Sequence, residues 1–162
     1  VYYAEKLAVD ANLDLLVFVT TAWLHDIGYY GLFQEGKSGS LLEIKDKKIA
    51  HMEVGAKMAR EFLENKNIKQ NYTQEQIERI VHLVLVHDKI AELKELDELA
   101  FMEADTLGSI DLSRVRPTFE KMDGLRYVEA LKIKRAPKFV SKMGKRYLSD
   151  LLPKFEKYFT QM

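Results

Sequence analysis

The sequence predicts an all-α protein that folds as a compact multi-helix bundle. Apolar residues recur at the three- and four-residue spacing of helices along almost every segment. Thr73 followed by Gln76 forms the pattern of a capping box at a helix start. With 162 residues, 47% hydrophobic and 31% charged, the chain has the composition of an ordinary soluble domain. We therefore expect one domain over residues 1–162.

Two helices are predicted at the amino-terminal end. The first carries an apolar helical pattern from its first residue, so we expect further residues before Val1. Asp10 or Asn12 is expected to start the second helix, which runs through Leu24 and is ended by Gly28. Because this helix is apolar over most of its circumference, we expect it to be central in the bundle.

A long loop is predicted from Ile27 to Asp46, since glycine and serine recur along it. Loops of this length inside a compact domain are often functional, so we expect this one to be a lid over the substrate. Its aromatic residues Tyr29, Tyr30 and Phe33 either line a pocket or fix the loop to the core.

Three further helices each carry a polar residue among apolar ones. The first, at about 47–65, has His51 along one edge of its apolar stripe. The second, which the capping box begins, places His87 on its buried face. The third, at about 94–107, carries Asp105 among apolar neighbours, and a buried carboxylate needs a partner.

The carboxy-terminal part is predicted to hold shorter helices. Asp111 or Ser113 is expected to begin one of them, with Pro117 in its first turn. Asp123-Gly124 is expected to break the pattern, and Pro153 to punctuate the helices that follow. A final apolar stripe is expected to pack on the core: Phe139, Met143, Tyr147, Leu148, Leu151 and Leu152.

The composition excludes several kinds of site. The absence of cysteine excludes disulfides, thiolate catalysis and zinc–cysteine sites, and it fits a reducing cytoplasm, where we expect the protein to be. No apolar run is long enough to span a bilayer, so no membrane partner is expected. The formal net charge is zero, yet residues 114–162 hold 13 Lys and Arg against 5 Asp and Glu. This basic excess is either a solvated helix face or a surface that attracts a phosphate-bearing substrate or nucleic acid.

Five polar residues fall at helix ends or on buried faces of four predicted helices: His25, Asp26, His51, His87 and Asp105. Side chains on facing helices of a bundle can build a metal centre in this way. Histidine nitrogen and carboxylate oxygen suit Mn, Fe, Co, Ni, Zn or Mg, and the sequence does not choose among them.

A structural alternative remains, in which Asp26 caps a neighbouring helix and His25 bonds a backbone carbonyl. His51 and His87 could equally be satisfied core histidines. His82 lies about 140° around its helix from His87 and is assigned a structural role.

Four segments of the chain together carry a family pattern: Ala22–Gly28 (AWLHDIG), His51–Ala56 (HMEVGA), Val84–His87 (VLVH) and Glu103–Leu107 (EADTL). Their order resembles the HD-domain superfamily of metal-dependent phosphohydrolases. The resemblance covers roughly residues 1–110 and continues weakly beyond them. It implies that residues 1–110 form the core that holds the metal site, with 111–162 as helices packed on it. It implies a helical bundle of the HD-domain type.

The resemblance implies that His25, Asp26 and Asp105 bind a first divalent metal ion. Asp26 would bridge to a second ion, which His51 and His87 would bind. The family's first histidine normally precedes the segment that matches the start of this chain. The chain therefore looks truncated before that ligand.

Two positions bear on how a phosphate is held. Tyr29 stands where many relatives carry a lysine soon after the HDIG stretch, which weakens the case for phosphate contact there. Lys89, or basic residues of the carboxy-terminal part, would hold the phosphate instead.

The resemblance therefore implies a phosphohydrolase that cleaves a phosphate ester of a nucleotide or another small phosphorylated metabolite, using water activated by one or two metal ions. Asp26 and Lys89 are the expected catalytic residues. The alternative is a non-catalytic HD module that binds a nucleotide or a partner as a regulatory signal; the missing histidine and Tyr29 favour it. A di-iron oxygenase ranks third.

The Tyr- and Phe-rich surface permits a homodimer, and no recognisable motif points to nucleic acid.

Overall fold

The computed structural model describes residues 1–30, 32 and 41–162 of the chain. Within these residues the structure is helical and contains no strand, so the all-α prediction is confirmed. The α-helices are α1 (Tyr2–Asp10), α2 (Leu15–Leu24), α3 (Leu41–Leu63), α4 (Lys66–Lys69), α5 (Gln74–Val86), α6 (Leu96–Ile110), α7 (Lys121–Ala130) and α8 (Lys142–Gln161). Short helices of other types accompany them: the 3-10 turns Ile27–Tyr29 and Ala136–Lys138, and the π-helix Leu131–Arg135.

The core forms where α1, α2 and α3 pack against α5 and α6. Helix α1 lies against α2, α6 and α8, while α5 packs against both α2 and α3. Phe18 of α2 and Phe101 of α6 are buried and meet edge to face, with ring centroids 5.9 Å apart. Burying a ring of this size contributes roughly 1.5–3 kcal/mol relative to exposure. In the described part of the chain, no helix has the length and apolarity that crossing a membrane requires.

Helix α2 begins later than the sequence predicts. Its N-cap is Asp14, whose carboxylate accepts a hydrogen bond from the backbone N–H of Val17 at 3.1 Å. Asn12 precedes it with a φ of 52°, a left-handed conformation that asparagine tolerates better than most residues. The predicted start at Asp10 or Asn12 is wrong, because this turn separates α1 from α2. The helix is also less enclosed than predicted, since Trp23 is 73% exposed.

The 3-10 turn Ile27–Tyr29 packs directly on α3. Helix α2 already ends at Leu24, so Gly28 does not end it as predicted. A Cβ atom at Gly28 would lie 1.9 Å from the backbone oxygen of His51 and 2.6 Å from the backbone nitrogen of Gly55. Glycine is therefore required for this close approach of two backbones, which draws the end of α2 towards α3.

Helix α3 begins at Leu41, earlier than the predicted start near residue 47. The predicted loop from Ile27 to Asp46 is shortened accordingly at both ends. Residues 31 and 33–40 of the predicted lid, with Phe33 among them, lie outside the described residues.

The segment between α6 and α7 is not helical, so the predicted helix at Asp111 or Ser113 is wrong. The Asp111 carboxylate instead accepts hydrogen bonds from the hydroxyls of Tyr3 and Ser113, both at 2.7 Å. These bonds tie the end of α6 to α1. A tertiary contact with Tyr3 thus uses the side chain that would otherwise cap a helix.

Helices α7 and α8 continue through residues that the sequence marks as helix breakers. Asp123 and Gly124 lie inside α7, and Pro153 lies inside α8. A proline in a helix interior costs about 3 kcal/mol. Phe155 and Phe159 on the buried face of α8 are both 0% exposed, and their burial contributes roughly 1.5–3 kcal/mol each. The burial of this face offsets the free-energy cost of the proline. Helix α8 therefore continues through Pro153, and the predicted interruption is wrong.

The start of α8 is attached to α6 by Glu103, which is 0% exposed. Its carboxylate accepts hydrogen bonds from the backbone N–H groups of Val140 and Ser141, the latter at 3.0 Å. The predicted apolar stripe of this helix packs on the core, with Leu148 and Leu151 buried.

Candidate metal centre

The centre begins at the last turn of α2. The backbone N–H of His25 donates to the carbonyl of Thr21 at 2.8 Å, so the helix carries this residue to the edge of the core. Its Nδ1 atom lies 3.2 Å from the carbonyl oxygen of Ala22, which leaves Nε2 to face the neighbouring helices. Asp26 follows with a side chain that is 54% exposed and makes no capping hydrogen bond to the 3-10 turn after it.

The two oxygens of Asp26 face different histidines. Oδ2 lies 3.3 Å from Nε2 of His25. Oδ1 lies 3.5 Å from Nε2 of His51 and 3.6 Å from Nε2 of His87. We call His51 and His87 the histidine side of Asp26. His25, together with Asp105, Asp88 and Arg135, forms what we call the ion-paired side.

The histidine side is buried, with His51 at 0% and His87 at 2% exposure. Nδ1 of His87 lies 2.8 Å from the carbonyl oxygen of Val84, so this nitrogen carries the proton and donates it. Nε2 of His87 then offers a lone pair, 3.2 Å from Nε2 of His51. The ring of Tyr29 stacks on His51 at 4.0 Å with an interplanar angle of 8°, which restricts the orientation of that imidazole.

The ion-paired side is built from α2, α6 and the π-helix. Oδ1 of Asp105 lies 3.5 Å from Nε2 of His25. Oδ2 of the same carboxylate accepts a hydrogen bond from Nη1 of Arg135 at 2.8 Å. Asp105 thus has the partner that its apolar surroundings require, and that partner comes from 30 residues further along the chain.

Asp88 joins this ion-paired side. Its Oδ1 accepts a hydrogen bond from Nη2 of Arg135 and lies 3.4 Å from Nζ of Lys48. The Asp88 side chain is only 15% exposed. Arg135 therefore covers this carboxylate, although it follows the end of α5.

On the ion-paired side, neighbouring opposite charges stabilise the ionised forms of His25, Asp26 and Asp105. Burial opposes the protonation of His25, but the Asp105 and Asp26 carboxylates outweigh it and raise the pKa of His25 to about 10. Partial burial likewise opposes ionisation of Asp26, yet His25 and His87 hold its pKa well below the usual range. For Asp105, burial is outweighed by the guanidinium of Arg135 and by His25, and the pKa of its carboxyl is strongly lowered.

His51, on the histidine side, behaves in the opposite way. Burial lowers the pKa of His51, and the neighbouring His87 lowers it further. The imidazole of His51 is therefore neutral at neutral pH and can offer a lone pair without first losing a proton.

The residues present fit a divalent metal ion. Asp26, His51 and His87 each offer one ligand atom, and these atoms all lie within 4.8 Å of one another. One carboxylate oxygen and two imidazole nitrogens form a donor set that suits first-row transition metals. Three protein ligands are also what catalytic metal sites typically use, since a further position must stay open for water or substrate. His25 and Asp105 lie next to this group, on the other oxygen of Asp26.

Two other predicted residues lie outside this group. His82 hydrogen-bonds to Glu98, with Nε2 and Oε1 2.7 Å apart, in agreement with a structural role. Lys89 is half-buried just after Asp88, and within the described residues its side chain forms no ion pair with the centre. Its catalytic role stays a prediction.

Sequence reasoning missed Arg135, Asp88 and Lys48 as neighbours of the centre. Arg135 is one of 13 basic residues in the segment 114–162, and nothing in its local spacing distinguishes it. Asp88 does stand directly after His87, which is the one signal that could have identified it.

Comparison with known proteins gives one match. The family model described as HD domain matches residues 1–116. Neither the curated proteins nor the solved structures provide a match to the chain.

Proposed function

Because the chain belongs to the HD-domain family, we propose that it is a metal-dependent phosphohydrolase. The family consists generally of enzymes of that kind. The proposed substrate is a nucleotide or another small phosphate ester, which water hydrolyses. One observation carries the proposal: the ligand atoms of Asp26, His51 and His87 lie within 4.8 Å of one another.

Asp26, His51 and His87 would hold one divalent ion. His25 and Asp105, with the second oxygen of Asp26, would hold another. When bound, such an ion supplies a water of lowered pKa and a positive charge that stabilises phosphoryl oxygens in the transition state.

The chain's own residues prepare the two sides differently. On the histidine side, the lowered pKa of His51 and the ionised Asp26 provide lone pairs at neutral pH. On the ion-paired side, His25 must release a proton before it can act as a ligand, because its pKa is raised to about 10. We therefore propose that the histidine side binds metal more readily.

Lysine side chains near the centre would contact the phosphate. Lys48 is 37% exposed and 3.4 Å from Asp88, so it can leave that partner for an incoming anion. We also propose Lys89 for this role, because it follows Asp88 in the chain and is partly accessible. Both amines would bind the phosphate as point charges.

The test begins with elemental analysis of the protein purified without added metal or chelator. Turnover is then measured with Mn²⁺ or Co²⁺ on p-nitrophenyl phosphate, nucleoside monophosphates and sugar phosphates. Asp26→Ala should lower turnover by more than about 100-fold, since even changes outside the ligand set cost 10–100-fold. Asp10→Ala, which removes an exposed carboxylate at the end of α1, is the matched control and should leave turnover unchanged.

Two results would overturn the proposal. A protein that holds metal but hydrolyses none of these phosphates is not a phosphohydrolase of this class. Turnover that survives Asp26→Ala would show that the reaction occurs elsewhere.

A second candidate is a non-catalytic module that binds a nucleotide as a signal. The observation that favours it is Tyr29, which stacks on His51 at the position where the resemblance leads us to expect a lysine. Thermal stabilisation by a nucleotide, with no product formed over hours, would support this function over hydrolysis.

A further inference from the structure

Arg135 is a cation from outside the family match that lies at the metal centre. The HD-domain model matches residues 1–116, whereas Arg135 ends the π-helix after α7. Its side chain is only 12% exposed. A buried guanidinium at this position must be matched by acceptors, and the acceptors it uses identify its role.

The guanidinium bridges the carboxylate of Asp105 in α6 and the carboxylate of Asp88 in the turn after α5. Nη1 donates to Oδ2 of Asp105 at 2.8 Å and to Oγ1 of Thr106 at 2.9 Å. Nη2 donates to Oδ1 of Asp88 at the end of α5. The rigid planar fork of arginine therefore fixes Asp105 and Asp88 relative to each other, which the single ammonium group of lysine cannot do.

The backbone around Arg135 departs from regular α-helix at this point. Helix α7 ends at Ala130 and continues directly into the π-helix Leu131–Arg135. The wider π turn directs the Arg135 side chain differently from a continued α-helix. Such segments are rare and are frequently found at functional sites.

We infer that Arg135 is a positioning residue of the metal centre, which holds one oxygen of Asp105 so that only the other is available to a metal ion. The available atom, Oδ1, is the one that lies 3.5 Å from Nε2 of His25. This inference rests on the proposed metal-binding function. It adds that the carboxy-terminal segment completes the ion-paired side of the centre.

The test measures the affinity of the folded protein for Mn²⁺ and Zn²⁺ by calorimetric titration, without any substrate. Arg135→Gln should weaken metal binding on the ion-paired side, observed as the second and weaker binding event, by about tenfold or more, the range typical for residues that orient a ligand. Arg135→Lys should fall between the wild-type protein and Arg135→Gln, because lysine keeps the charge but pairs with only one carboxylate.

Arg79→Gln is the matched control. Arg79 pairs with Asp97 between α5 and α6, in another Arg–Asp pair with side chains 32% and 20% exposed, away from the centre. It should lose stability without losing metal affinity. If Arg79→Gln weakens metal binding as much as Arg135→Gln does, the effect is one of general stability and the inference is overturned.

Asp88→Asn tests the bridge from its other end and decides the case if Arg135→Gln does not fold. Removing this anchor should weaken metal binding in the same direction by a smaller factor. Wild-type affinity in a folded Asp88→Asn protein, or in a folded Arg135→Gln protein, would overturn the inference while the proposed function stands. A wild-type protein that binds neither metal would overturn both.

Discussion

Each side of Asp26 carries a histidine, and the structure holds His51 on one side and His25 on the other in opposite protonation states. On the histidine side, burial and a neighbouring imidazole lower the pKa of His51. On the ion-paired side, His25 is also poorly exposed, yet the carboxylates of Asp105 and Asp26 raise its pKa to about 10. The difference lies in the neighbours: desolvation acts on both rings, but His25 lies within 3.5 Å of two carboxylates, whereas His51 also meets the imidazole of His87.

This contrast has a consequence for metal binding. A metal ion competes with protons for imidazole nitrogen, so a neutral histidine is a better-prepared ligand than a protonated one. The histidine side is also fixed by the stacked ring of Tyr29 and by the hydrogen bond from His87 to Val84. The ion-paired side is instead fixed by charge, through Arg135. The two sides should therefore respond differently to mutation, to backbone strain and to pH.

The largest difference should appear when one ligand is removed from each side. His51→Gln should lower the affinity for the first bound metal ion by more than about 100-fold, because it removes a direct ligand. His25→Gln should leave that first ion bound and weaken only a second. Elemental analysis and calorimetric titration with Zn²⁺ measure both effects, with circular dichroism as the check on folding. Equal losses in the two variants would contradict the distinction between the sides.

A smaller but selective effect is expected from Gly28→Ala. The added Cβ would lie 1.9 Å from the backbone oxygen of His51, and backbone cannot yield as a flexible side chain can. We expect a loss of about 3 kcal/mol in the free energy of unfolding, at the upper end for overpacking, together with weaker metal binding on the histidine side.

Gly108→Ala is the matched control for this glycine substitution. Gly108 lies in α6, is exposed, and a Cβ there meets nothing within 4 Å. Alanine should stabilise the helix by about 0.5–1 kcal/mol. Urea unfolding of both variants gives the comparison, and a Gly28→Ala protein as stable as wild type would show that the turn does not need this contact.

The two sides should also differ in how the stability of the protein depends on pH, measured with chelator present. For His25 the folded pKa is about 10 and the unfolded pKa about 6.5, so its contribution is complete below pH 6.5 and declines as the pH rises towards 10. The decline is at most about 1.4 kcal/mol per pH unit. For His51 the folded pKa is lowered, so its contribution is complete above about 6.5 and is lost as the pH falls.

Urea unfolding between pH 5.5 and 9 resolves the two contributions. His25→Gln should remove the decline between pH 7 and 9, and His51→Gln should reduce the rise between pH 5.5 and 7. A wild-type protein and a His25→Gln protein with the same slope above pH 7 would show that His25 is not charged in the folded state.

Local patterns in the sequence predicted the parts of the fold that depend on near neighbours. The capping box at Thr73 and Gln76 is present, because both of its hydrogen bonds join residues three apart. The burial of His51 and His87 follows from their positions on apolar helix faces. Helix spacing is a local property, so a single chain segment reveals it.

Local patterns predicted helix starts and ends wrongly where a contact with a distant residue, or burial against the core, decides which conformation is more stable. Asp111 resembles a helix start, but its carboxylate is used by Tyr3 from the other end of the chain. Pro153 resembles a helix end, but the buried face of α8 outweighs it. In each case the deciding energy comes from a contact or a burial that no window of neighbouring residues contains.

By itself the sequence determined that the protein is helical and which histidines and carboxylates are candidates for a metal centre. Residue type and helix periodicity are properties of short segments of the chain, so no tertiary contact is needed to recognise them. Only the tertiary structure decided that Asp26 stands between two unlike sides, and that Arg135 joins Asp88 to Asp105. Ion pairs and pKa shifts depend on which groups meet within a few ångströms after packing. These groups lie on helices that are far apart in the chain. Their contacts are therefore known only from the packed structure.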